Sequence, residues 1–200
     1  MKINFLNSNL MKTTKFLFGT LFCLALVTSC SDDDTPKSIE EEEAITKLVL
    51  TFTNEIDDTD TVVLTWNDDN ENEEVEASEK TVVGEFEAGE VYDAAIELFN
   101  KDEDFLDEDI LENQASIDAH FFVYATTLDF TMARADGTEA TRTDNNKLGV
   151  KTTWTAGAAG TGSISIELHH ESPSVSDNDG FGTAEGDDTD IAISFDAEIQ

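Results

Sequence analysis

Ile191-Ala192-Ile193-Ser194-Phe195-Asp196-Ala197-Glu198-Ile199 decides the fold class. Odd-numbered positions are apolar, and Ser194, Asp196 and Glu198 fall between them. Neighbouring side chains of a strand point to opposite faces, so this pattern gives one dry face and one wet face. Strands of that kind build antiparallel sheets packed on a single side. The same period runs back through the chain. Leu48, Leu50 and Phe52 share one face of a first strand, and Val62, Leu64 and Trp66 repeat the pattern. A polar insertion, 67–80, precedes a short Val82-Val83 piece. Later strands carry Tyr92, Ala94, Ile96 and Leu98; Phe122 and Tyr124; Leu128, Phe130 and Met132; Leu148, Val150 and Trp154; and Ile164, Ile166 and Leu168.

One segment breaks the rhythm. Between Asp104 and Ala119, the residues Leu106, Ile110 and Ile117 fall at helical spacing, with Asp104 as N-cap and acids crowding the first turn. This predicts one short helix crossing between sheets. Gly157 to Gly162 lacks the lysine and the strand-to-helix context of a phosphate loop and is expected to be a hairpin turn. Seven or eight strands with frequent turns predict a mainly β fold, an immunoglobulin-like antiparallel β-sandwich with one crossover helix. A small barrel is the alternative.

The front of the chain reads differently. Met11-Lys12-Thr13-Thr14-Lys15 is a short cationic start, and Phe16 to Val27 is mostly apolar. A spanning helix needs roughly 20 apolar residues, so this run is too short and fits a cleaved signal. Leu26-Val27-Thr28-Ser29-Cys30 then has the form of a lipoprotein cleavage site, which predicts acylation of Cys30. Residues 1–29 are therefore expected to be signal peptide, 30–44 a lipidated cysteine with an acidic tether, and 45–200 the sandwich domain. The tether, with Glu40-Glu41-Glu42-Glu43, cannot bury apolar area; it reaches on the order of 40 Å when extended. Cys23 and Cys30 are the only cysteines, so a processed chain has no disulfide and no thiol chemistry.

Charge excludes some partners. Lys2, Lys12 and Lys15 leave with the signal, so 8 basic residues face all 45 acidic ones and residues 30–200 carry −37. Nucleic acid is not expected as a partner, because binding it requires Lys and Arg to neutralise phosphates. The acidity itself follows from solubility or from residence in salty water.

Several segments resemble a family of small flavobacterial lipoproteins. They are Ala156-Gly157-Ala158-Ala159-Gly160-Thr161-Gly162, Leu168-His169-His170-Glu171-Ser172-Pro173, Thr189-Asp190-Ile191 through Gln200, and Asp109-Ile110 to His120-Phe121-Phe122. Some members carry the label type 1 periplasmic binding fold. That fold needs repeated βαβ units, which this chain lacks. The acidic run after Cys30 resembles the Bacteroidetes signal for the outer face of the outer membrane.

Few residues offer chemistry. His169 and His170 are neighbours in a strand and point to opposite faces, so they cannot share a metal without a bulge. Parity sends His170 to the core rim and His169 to water beside Glu167, and nothing in the sequence brings His120 near either. Trp154 is expected in the core, whereas Trp66 is open between core and binding roles. Calcium is the one cofactor considered. Asp68, Asp69 and Asn70 align with a place where the family often shows a calcium-type loop, although the glycines of such a loop are missing. Asp177 and Asp179 precede Gly180 but lack a downstream bidentate glutamate. The expected function is a non-enzymatic binding or structural module on the outer membrane, held by its lipid and facing the cell surface or else the periplasm, with a protein or glycan as the expected ligand. The alternatives are a calcium-dependent adhesion or ligand-binding module, and a carboxylate-based hydrolase.

Overall fold

The computed structural model describes residues 45–68, 70, 75–186 and 188–200; the signal segment, Cys30, the tether and Asp69 lie outside them. Most of the alternating sequence becomes strand, although Leu128, Leu148 and Val150, expected within strands, lie just before them. In chain order these are β1 (Lys47–Asn54), β2 (Thr61–Asn67), β3 (Lys80–Val83), β4 (Val91–Asn100), β5 (Glu103–Asp104) and β6 (His120–Thr126). They continue as β7 (Phe130–Arg134), β8 (Lys151–Ala156), β9 (Gly160–His170), β10 (Ser174–Ser176), β11 (Thr183–Glu185) and β12 (Thr189–Ile199). Eight are principal strands of five residues or more; β3, β5, β10 and β11 are short additions.

The larger sheet has the order β3-β2-β1-β4-β8-β7, with β5 beside β4. The smaller is β12-β9-β6, and β10 and β11 form a separate ribbon. Leu48, Leu50, Phe52, Val62 and Leu64 from the larger sheet share one buried cluster with Ile164, Ile166, Leu168, Ile193 and Phe195 from the smaller. The mainly β, antiparallel sandwich anticipated from alternation is therefore the fold. Trp154 sits at its centre, fully buried. Phe52, Tyr124, Phe130 and Phe181 meet it edge-on at 5.4–5.9 Å, the offset that ring quadrupoles favour. Trp66 is core as well, and its Nε1 donates to Glu79 Oε2 at 3.3 Å.

Two local expectations change. The single helix over 104–119 is two short turns, a π-helical turn at Leu106–Ile110 and α1 at Gln114–Ala119. Asn113 makes the break: its extended backbone interrupts the helix, and its side chain accepts from the Ala115 and Ser116 amides at 3.0 and 3.1 Å. Asp104 still accepts from the Asp107 amide at 3.1 Å. The periodic Leu106, Ile110 and Ile117 are all buried, so the spacing recorded burial across both turns. The segment does link the larger sheet to β6. Residues 157–159 are likewise not a hairpin. Both edges of β8 are taken, by β4 and β7, so the chain must cross to the other sheet before β9 begins.

Arg134 holds the two sheets together at the end of β7. Its Nε donates to Gly180 O at 2.8 Å, and Nη1 to Lys147 O and Leu148 O, both at 2.8 Å. Nη2 donates to Phe122 O at 2.6 Å and Phe181 O at 3.1 Å, and the guanidinium lies 4.3 Å from the Phe121 ring centre. A buried charge is tolerated only when its donors are matched, as here. Gly180 has φ 80°, and a Cβ there would collide with the Met132 carbonyl, so the loop it belongs to needs glycine to lie against β7. Each buried acceptor left unmet costs about 1–3 kcal/mol. Arg134→Ala, which strands several at once, is expected to lower unfolding free energy by at least ~3 kcal/mol in denaturant melts.

Candidate functional site

Of the anticipated calcium residues, Asp69 lies outside the described residues, and the Asp177 and Asp179 carboxylates are taken up by backbone amides. Asp68 is buried, and its amide donates to Thr46 O at 2.8 Å. Asn70 donates to Glu79 Oε1 at 3.1 Å, so with Trp66 it fixes the turn at Ala77–Glu79. Asp177 Oδ2 accepts from the Lys147 amide at 2.9 Å, and Asp179 Oδ1 accepts from the Gly182 amide at 2.9 Å. Among the described residues neither acidic loop gathers three carboxylates or imidazoles round one point.

A different group does so: His120, His170 and Asp190. Each stands at the end of a strand in the smaller sheet. His120 opens β6 and pairs across the ladder with His170, near the end of β9. Their rings stack with centres 4.7 Å apart and planes 2° from parallel. Asp190 comes from β12, on the other side of β9. There Thr189 pairs with His169 and Ile191 with Leu168, leaving Asp190 as the extra residue of a bulge. A bulge re-aims one side chain against the alternation, and this one turns Asp190 to the histidine pair. His120 Nε2 lies 4.0 Å from Asp190 Oδ2, and His170 Nδ1 lies 3.9 Å from Asp190 Oδ1.

The surroundings orient these groups. His120 Nδ1 lies 2.8 Å from the Ser116 carbonyl, which only accepts, so Nδ1 carries a hydrogen. The His120 and Asp190 side chains are 3% and 6% exposed, whereas His170 is 21% exposed and forms the open side. The expectation that His120 stands apart is thus overturned, because strand register, invisible in a single sequence, brings it to His170. His169 is corrected too. It lies on the face with Glu167 as parity requires, but it is buried, with Nε2 3.1 Å from Glu167 Oε2 and Nδ1 3.4 Å from Thr189 Oγ1.

No family model, curated protein or solved structure matches this chain. An open groove of about 620 Å³ is lined by Val82, Glu85, Thr127, Ser163 of β9, and Asp196 and Glu198 of β12. All three of its acids are exposed.

The loop beside His120 is tied down by charge. Arg142 Nη1 donates to His120 O at 2.8 Å and also to Asp118 O. The Thr143 amide and hydroxyl each donate to the Asp118 carboxylate at 2.8 Å. The amide bond is the main reason that the Asp118 carboxyl is held below its ordinary range. A depressed carboxyl stabilises the fold above its unfolded value, about 3.9, and loses that contribution as pH falls through the lower folded value. Asp118→Asn is expected to lower the thermal midpoint modestly at pH 7, with the gap from the parent chain closing below about pH 4.

Proposed function

We propose that this chain is a lipid-anchored β-sandwich module of the outer membrane, facing the cell surface, with a non-enzymatic binding role towards a protein or glycan. The observation that carries the reading is Leu26-Val27-Thr28-Ser29-Cys30 after a short apolar run and before Ser31-Asp32-Asp33-Asp34. Cleavage before Cys30 and acylation follow from that order. One acyl chain binds a bilayer only marginally, at roughly 0.8 kcal/mol per buried methylene, and the two or three chains of a lipoprotein make attachment lasting. Acidic residues from Asp32 to Glu43 would keep the domain off an anionic surface.

The domain suits such a post. Its core is held by apolar packing and the Arg134 hydrogen bonds, so the thiol used for the lipid is not missed from the fold. Wet faces studded with acids keep it soluble at high local density. The acids lining the open groove are exposed, whereas a carboxylate pair set up for general acid–base work sits in a drier cleft where burial separates its pKa values. Kinship with the flavobacterial lipoproteins is part of this proposal.

Cys30→Ser tests it. The variant is expected to leave the membrane fraction while keeping the circular dichroism and melting behaviour of the parent chain. Retention in the membrane would overturn the anchor. Protease treatment of intact cells then separates the outer face from the periplasmic one, because only a surface-displayed domain is reached.

A further inference from the structure

We infer that His120, His170 and Asp190 form a binding site for one divalent first-row transition-metal ion of the zinc type. The inference stands on the folded domain and is independent of the anchor.

The donor set selects the metal. Imidazole nitrogens suit zinc, cobalt, nickel and copper, whereas calcium and magnesium take oxygen ligands. Two nitrogens and one carboxylate oxygen, all within 4.8 Å of one another, form the three-ligand set that leaves a fourth position for water or an outside donor. Tetrahedral zinc with bonds of about 2.0–2.1 Å needs ligand atoms roughly 3.3 Å apart. The contacts of 3.9 and 4.0 Å run to different Asp190 oxygens and the three ligand atoms span up to 4.8 Å, so they must draw in by between about 0.6 and 1.5 Å. That closure is within reach of side-chain rotation. The two rings are parallel, so one must turn for both lone pairs to meet the ion. His170 is the one with room, being the most exposed of the three, and its second torsion is broad.

The tautomer supports the same assignment. With Nδ1 of His120 bonded to the Ser116 carbonyl, a neutral ring presents the Nε2 lone pair to the Asp190 carboxylate. A second-shell carbonyl on the far nitrogen is the usual support of a metal-bound histidine. Position adds to this. The three residues come from all three strands of one sheet, and a β-bulge is spent on Asp190. The chain's large negative charge raises the local concentration of cations at every surface. Salt screens that diffuse attraction but not a coordinate bond. The competing reading is a protonated histidine paired with Asp190, which needs no ion.

The experiment uses the full chain in detergent, stripped with chelator, at pH 7.5 in ~0.5 M NaCl, where diffuse binding is screened. Calorimetric titration with Zn²⁺ is expected to give one site per chain, unchanged by millimolar Ca²⁺. Titration with Co²⁺ is expected to produce the visible absorption of a nitrogen-ligated, low-coordinate ion. His170→Ala and Asp190→Asn should each weaken Zn²⁺ binding at least 100-fold. Asp177→Asn with Asp179→Asn should leave it unchanged. Because His170 is part-exposed, its variant is the one best placed to fold, and circular dichroism checks that it has. Absence of saturable Zn²⁺ binding by the parent chain would leave only the ion-pair reading. Equal binding by a folded His170→Ala chain would place the ion elsewhere and overturn the assignment.

Discussion

The sandwich depends on one buried cation. Arg134 sends donors to five carbonyls drawn from β6, the 147–148 segment and the 180–181 loop. These belong to pieces of chain that no single ladder joins. A hydrophobic core is indifferent to small slides between its two sheets, because apolar contact has no direction. A guanidinium fork is not indifferent: its donors have fixed directions, and each carbonyl it serves is withdrawn from water. Dispersion and apolar burial hold the layers together, and Arg134 fixes how they sit. Asp136 works beside it, accepting from the Gly149 and Lys151 amides at 2.8 and 2.9 Å and so setting the entry to β8.

The histidine cluster depends on the same placement. β6 is the strand that Arg134 grips through the Phe122 carbonyl, and His120 lies two residues before it. On the far side, Ser116 in α1 orients the His120 ring, and α1 is started by the Asn113 cap. His120 is thus held by a neighbour outside the sheet, whereas His170 keeps room to turn. An exposed strand end without such supports would leave its imidazoles to sample several rotamers.

Legibility in the sequence followed a physical line. Alternation is local, and it placed Ile191 to Ile199, Leu48 to Phe52 and Trp154 correctly on dry faces. Parity also put His170 and His169 on opposite faces. What failed needed knowledge of neighbours. The 157–159 crossing looked like a turn because small residues suit both, and only the occupied edges of β8 tell them apart. Trp66 could not be settled without seeing that Glu79 returns to meet its indole. His120 joined His170 through register, and Asp190 joined them through a bulge, neither of which has a signature in one sequence. A faint signal was present. Three strands of alternating pattern each bear a histidine or aspartate where the apolar run stops.

The spacing of that cluster along the chain has a kinetic consequence. β1 and β2 meet through a short loop, whereas the chain between His120 and His170 runs through β7 and β8 of the other sheet. Pairings that span long stretches of chain close slowly, because loop entropy is lost before contacts repay it. Pairing β6 with β9 therefore costs more loop entropy than closing the β1–β2 hairpin. Any ion that prefers the three assembled side chains captures only molecules that have finished folding, and it slows their reopening rather than speeding their formation.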